Sequence, residues 1–295
     1  WIKPVTVLEF DNSQGTWASM QPRDADTHVL AYADNYNDGR IKTFNVAADG
    51  TTVTNVNTWE HDGSNGTYNS LARRSDDVYA LAYQTSSNRG NIRTFKVAAN
   101  GSISSLYVLQ FESNNTAETS LIQLKGDLFL LAYPGPGNDG MLKSYNIGTN
   151  GSISGLKTLE HNTANGWAPT LHKMTDSTAV LVYSDHDNST HEIKTFHVAS
   201  DGTITEKKKI KISDNKGYWN AIAQVDSDTY LIAAQAKDED GYLYTYDISP
   251  DGTSITKVAE LEFDEYKTRF NELYNLGSNS FLLAHAGSDQ TTGTF

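Results

Sequence analysis

Six positions about 50 residues apart carry the side chains best suited to chemistry in this chain: Trp17, Tyr68, Glu118, Ala168, Trp219 and Phe270. Each stands three residues before the apolar residue of a recurring segment: Met20, Leu71, Leu121, Leu171, Ile222 and Leu273. Four of the six are aromatic, Trp167 adjoins the alanine, and Asn69, Asn220 and Asn271 follow the ring in three copies. Flat apolar rings beside amides suit the C–H faces and hydroxyls of sugars, although the same rings would also serve packing between repeats. With Arg269 on the same rim, the expected ligand-binding set is Trp17, Tyr68, Asn69, Glu118, Trp167, Trp219, Asn220, Arg269, Phe270 and Asn271. Catalysis would need a constellation present once, and Glu118 and Glu272 are single departures that, with Arg269 on the same rim, could make an acid and cation pair.

A second kind of chemistry is suggested by acidic loops. Asp34 and Asp38, Asp185 and Asp187, and Asp238 and Asp240 each place two carboxylates within five residues. Hard cations such as calcium accept that composition, which plain solvated turns also share, and none of the loops has the full EF-hand spacing. Calcium is therefore the one cofactor expected, in a structural role. His61 and His161 fall in a slot otherwise held by Phe10, Phe111, Ile212 and Phe263, which predicts packing and not metal ligation. His186 and His191 flank the Asp185 loop, and His285 replaces a recurring tyrosine.

The elements that position these residues follow from the repeat. Val29-Leu30-Ala31-Tyr32, Ala80-Leu81-Ala82-Tyr83, Leu130-Leu131-Ala132-Tyr133 and Val180-Leu181-Val182-Tyr183 recur, followed by Leu231-Ile232-Ala233-Ala234 and Leu282-Leu283-Ala284-His285. A second string follows each of the first five, as in Ile41-Lys42-Thr43-Phe44 and Ile193-Lys194-Thr195-Phe196. Then come Asp49-Gly50, Asn100-Gly101, Asn150-Gly151, Asp201-Gly202 and Asp251-Gly252, dipeptides that supply the positive φ of a hairpin. Short β-branched and aromatic runs between such turns read as strands. In the second copy they are expected near 69–73, 78–84, 91–98 and 103–111.

Four antiparallel strands per unit, repeated around an axis, predict an all-β fold: a six-bladed β-propeller forming one domain over 1–295. The sixth copy, about 271–295, lacks a fourth strand, whereas Val5–Phe10 is a fourth-strand segment standing alone before any first strand. Residues 1–10 are therefore expected to complete the last blade. At the level of the 50-residue unit the whole chain resembles the repeat β-propellers. The Trp-Asp and Gly-His marks of WD40 blades, the Kelch double glycines and the sialidase Asp box are missing.

Composition excludes other classes. A net charge of −13 would repel phosphate backbones, so nucleic acid is not an expected partner. No apolar run reaches the 18 residues of a membrane span, and zero cysteines exclude disulfides and thiolate chemistry. Asn-x-Ser/Thr sequons at Asn65, Asn100, Asn114, Asn150 and Asn188, with a first residue other than Met, lead us to expect a mature or excised chain that is extracellular or at the cell surface. The function expected is a binding or adhesion module for a glycan or surface protein. The alternatives are an extracellular polysaccharide hydrolase or lyase, with enzyme status left open, and a structural tile of a surface layer.

Overall fold

The computed structural model describes residues 5–287 and 293–294. Within them the only helical elements are three single 3-10 turns, and the strands form six separate sheets. The first sheet contains β1 (Thr16–Pro22), β2 (Thr27–Ala33), β3 (Gly39–Val46) and β4 (Val53–Asp62). The second has β5 (Thr67–Arg73), β6 (Val78–Thr85), β7 (Arg89–Val97) and β8 (Ile103–Glu112), each end within two residues of its expected place. The third comprises β9 (Ser120–Lys125), β10 (Leu128–Pro134), β11 (Gly140–Ile147) and β12 (Ile153–Asn162). The fourth holds β13 (Gly166–Lys173), β14 (Thr178–Asp185), β15 (Thr190–Val198) and β16 (Ile204–Ser213). The fifth is β17 (Tyr218–Gln224), β18 (Thr229–Gln235), β19 (Gly241–Ile248) and β20 (Ile255–Asp264), and the sixth β21 (Arg269–Gly277), β22 (Ser280–Ala286) and β23 (Gly293–Thr294). Strands follow sequence order in every sheet.

The chain divides into two compact units, 1–131 with 143–156 and 132–142 with 157–295, the boundary falling in the third sheet. In the first unit, Val29 and Ile41 of the first sheet share a core with Leu71, Tyr79, Leu81 and Phe95 of the second. In the second unit, Val180, Val182 and Ile193 pack with Ile232, Tyr244 and Ile248. The second strands take the middle of this packing, and every residue of β6 and β14 is buried. Burial on both faces explains why their strings are continuously apolar instead of alternating.

The repeated threonine of the second string has a purpose that its sequence context hides. Thr43 Oγ1 donates to the Gly101 carbonyl at 2.8 Å, Thr94 Oγ1 to Gly151 at 2.6 Å and Thr195 Oγ1 to Gly252 at 2.6 Å. Each bond ties a third strand to the turn of the next sheet. The turns are four-residue ones, closed for example by Gly101 N–H to the Ala98 carbonyl at 2.9 Å. Only their glycines are left-handed; the preceding Asn100 stays right-handed and its Oδ1 accepts the Ser102 N–H. The dipeptides thus act through one positive φ plus a side-chain cap, not through two positive φ angles.

Among the described residues the sixth sheet has three strands, and Val5–Phe10 lies outside any strand. Residues 1–4, 288–292 and 295, part of the expected closure, lie outside the described set. Phe10 nevertheless sits against the first sheet. Its ring meets Tyr32 edge-on with centroids 5.1 Å apart, and Lys42 Nζ donates to its carbonyl.

Candidate functional site

The six equivalent positions share a backbone state that no strand pattern announces. Trp17, Tyr68, Glu118, Ala168, Trp219 and Phe270 all have positive φ, between 36° and 54°. In the five sheets other than the third, the register between first and second strands shifts at this point, as between Thr67 and Ser70 or Arg269 and Glu272. Such β-bulges re-aim a side chain, and a left-handed non-glycine residue costs about 1–2 kcal/mol. Because the first and fourth strands meet the second-to-third loop at this end of each sheet, the re-aimed residues stand beside those loops.

In the first unit the Trp17 and Tyr68 rings touch at 5.0 Å, inclined by 52°. Burial raises the Tyr68 phenol's pKa, and the nearby Glu118 charge adds to the effect. Thr119 Oγ1 donates to the Tyr68 carbonyl at 2.7 Å, which fixes the bulge to the following segment. In the second unit Trp219 and Phe270 approach to 4.2 Å, and Phe270 remains 56% exposed. Trp167 stacks on His186 at 5.8 Å, and His186 and Tyr218 meet in a T-shaped contact at 5.2 Å. Burial, with Lys216 beside it, lowers the pKa of that imidazole.

The three asparagines turn inward. Asn69 Nδ2 donates to the Gly66 carbonyl at 2.8 Å and Asn220 Nδ2 to the Ala168 carbonyl at 3.0 Å, while Asn271 is buried. The amides of Asn69 and Asn220 tie down the bulges, whereas that of Asn271 is buried with no partner among the described residues; the rings are what the rim presents. Arg269 opens β21 opposite Ala286. Glu272 keeps solvent access, yet the protein around it desolvates its carboxyl and raises the pKa.

The acidic loops use their carboxylates internally. Asp34 accepts the Tyr36 and Asp38 N–H groups and pairs with Arg40 Nε at 2.9 Å; Arg40 also reaches Asp38 at 3.4 Å and Glu60 at 2.6 Å. Asp185 is 2% exposed and takes bonds from Asn162 and Asn188, and Asp187 accepts from Asn165 at 2.6 Å. Asp240 has a raised pKa through desolvation and then the Glu262 charge, and Asp238 lies in the turn Lys237–Glu239. No group of three or more His, Asp or Glu residues that could hold a metal occurs among the described residues.

Sequence reasoning missed Tyr218, Lys216 and Gln235, which line a pocket of about 320 Å³ at the same end of the fifth sheet. Its one faint signal was that Gln84 and Gln235 alone place an amide directly after the buried string.

No family model matches this chain, and no curated protein does. Among solved structures it is similar to a Bacteroides uniformis protein provisionally named a 6-phosphogluconolactonase, with a TM-score of 0.67 and 12% identity over 92% of this chain and 78% of that one. A Bacteroides fragilis protein of the same provisional name gives 0.62 and 13%, covering 93% and 78%. Saccharomyces cerevisiae Sqt1 gives 0.59 and 10%, covering 97% and 86%. The repeated four-stranded sheets and these likenesses make the chain a repeat β-propeller protein. Likeness at such identity carries the fold alone.

The shared left-handed position offers a direct test. Ala168 bears the strain without a ring to aim, so Ala168→Gly is expected to stabilise the protein by about 0.5–1 kcal/mol, or about 1–3 °C in Tm. In a normal extended strand the same change lowers Tm, and a lowered Tm would remove the strain from the account.

Proposed function

We propose that this propeller is a secreted or cell-surface binding module that recognises a glycan, through the rim where each first strand begins. The observation that supports this is the run of six strained, equivalent positions, four of them holding large rings in a conformation those residues rarely adopt. Strain that persists in all six repeats, at the end where loops cluster, is the kind that accompanies ligand clamps. In the same proposal the sheets close as six blades, with Val5–Phe10 as the outer strand of the last. Four of the five sequons are exposed, which suits the extracellular setting.

A glycan array with the full chain tests the proposal. Trp17→Ala and Trp219→Ala are expected to weaken array binding by about 1–3 kcal/mol. Since both rings are half-buried, the stability cost should stay under about 2 kcal/mol, below that of a core aromatic. Loss of 3 kcal/mol or more in both variants, or an array without signal, would turn the rim into packing.

One observation favours a second reading, a hydrolase. The raised carboxyl of Glu272 is a trait of general acids. The names of the two Bacteroides proteins suggest sugar lactones as probe substrates, and turnover abolished by Glu272→Gln would establish it.

A further inference from the structure

Gln235 is 5% exposed, and its Nε2 is buried with no hydrogen-bond partner among the described residues. Its counterpart Gln84 is fully engaged: Nε2 donates to the Thr116 carbonyl, and Oε1 accepts from Thr67 Oγ1 at 3.1 Å. Both follow the same buried string, so the difference lies in their surroundings. Gln84 faces protein, whereas Gln235 faces the pocket of about 320 Å³. A buried donor without an acceptor destabilises a fold, and native proteins seldom keep one that nothing ever satisfies.

The remaining walls indicate what would satisfy it. Tyr218 contributes an aromatic ring, packed at right angles against His186, itself stacked on Trp167. Trp167 is held in turn, its Nε1 donating to Asn165 Oδ1 at 3.2 Å. Asp238 and Glu239 line one side and Lys216 another, and Glu239 pairs with Lys267. Two acidic residues and one basic residue line the pocket, and Lys267 outside the lining is paired with Glu239, so the walls offer no excess of positive charge, which disfavours phosphate or a sugar acid. An aromatic wall, an unpaired amide donor and carboxylate acceptors are the complement of a ring with one apolar face and a rim of hydroxyls. The volume lies at the small end for ligand sites, enough for one such ring.

We propose that this pocket binds one neutral pyranose unit, its apolar face on Tyr218 and a hydroxyl oxygen accepting from Gln235 Nε2. The ligand class rests on the glycan reading above; the location is independent of the rim. Saturation-transfer NMR on the full chain, with the methyl glycosides of glucose, galactose, mannose and N-acetylglucosamine, tests it. At least one glycoside is expected to bind, with affinity reduced tenfold or more in Tyr218→Ala and in Gln235→Leu. Gln235→Leu should melt at or above the wild-type temperature because it removes an unpaired buried donor, so it carries the test if Tyr218→Ala fails to fold. No binding by any of the four, or affinity within twofold of wild type in Gln235→Leu, overturns the proposal. Loss in Trp17→Ala and Trp219→Ala with retention in Gln235→Leu overturns the pocket and keeps the rim. The reverse pattern keeps the pocket and overturns the rim.

Discussion

Lowering the pH from 6.5 to 4 is expected to destabilise the protein by several kcal/mol, before most of its carboxylates protonate. His61, His161 and His191 are buried, and burial drives their imidazoles from the ordinary 6.5 down to about 3, about 3 and about 4. Arg93 beside His61 and Lys194 beside His161 push in the same direction. In the unfolded chain each takes a proton near pH 6.5. Below that pH the unfolded state therefore binds more protons, and stability falls until the folded pKa is reached. Each histidine contributes a slope of about 1.4 kcal/mol per pH unit, so the three together remove about 4 kcal/mol for every pH unit in that range. That is large against a typical stability of about 5–15 kcal/mol. Asp11, where desolvation is outweighed by hydrogen bonds from Ser13, Gln14 and Tyr32, and Asp251, bonded by Ser249 and Thr253, are both held near 2 and act in a separate window, losing their contribution only as pH falls below about 4.

Melting curves from pH 7 to 4 measure the effect, and a flat profile would reject it. The repeat supplies the matched control. Phe111 and Phe263 fill the slot of His61 and His161, each against a closely approaching glycine: Gly90 and Gly241 for the phenylalanines, Gly39 and Gly140 for the histidines. The double variant His61→Phe, His161→Phe should fold normally at pH 7 and lose most of the slope.

Removing the chain before Asp11 is the second large effect expected, about 3–5 kcal/mol. The ring of Phe10 meets Tyr32 at 5.1 Å and 77°. The same edge contact recurs where a fourth strand ends against the next sheet: His61 with Tyr83 at 4.7 Å, His161 with Tyr183 at 4.9 Å, and Phe263 with His285 at 5.1 Å. Lys194 Nζ donates to the His161 carbonyl at 2.5 Å, as Lys42 does to that of Phe10. Phe10 thus occupies, against the first sheet, the seat that a preceding sheet's last residue takes elsewhere, and the proposed completion of the last blade rests on that likeness. Phe10→Ala should reproduce much of the loss, and an unchanged Tm in both variants would end the assignment.

Thr245 points the same way. It stands in the fifth copy at the position from which Thr43, Thr94 and Thr195 donate to the next sheet's turn glycine, and its Oγ1 is buried without a partner among the described residues. A linker of about seven residues containing Asp-Gly, joining the last residue to the first, would supply that carbonyl and reduce unfolded-chain entropy. Raised stability in the linked protein, lost again in Thr245→Val, is the expected result.

The sequence alone determined the period, the strand class and the buried strings. Burial on both faces demands uninterrupted apolar residues, as in Ala80-Leu81-Ala82-Tyr83, and left-handed turns demand glycine, as at Gly101. The packing of His61 and His161 was legible for the same reason, since a slot shared with phenylalanine is apolar. Tertiary structure alone decided what local pattern does not encode. The bulge at Trp17 and its equivalents has no composition of its own, because a tryptophan at φ 48° and one in an extended strand read alike. Asp34 became the partner of Arg40, six residues away, a pairing that only the hairpin creates. Gln84 and Gln235 are indistinguishable in sequence, and only the neighbours folded around them separate a satisfied amide from one that faces an open pocket.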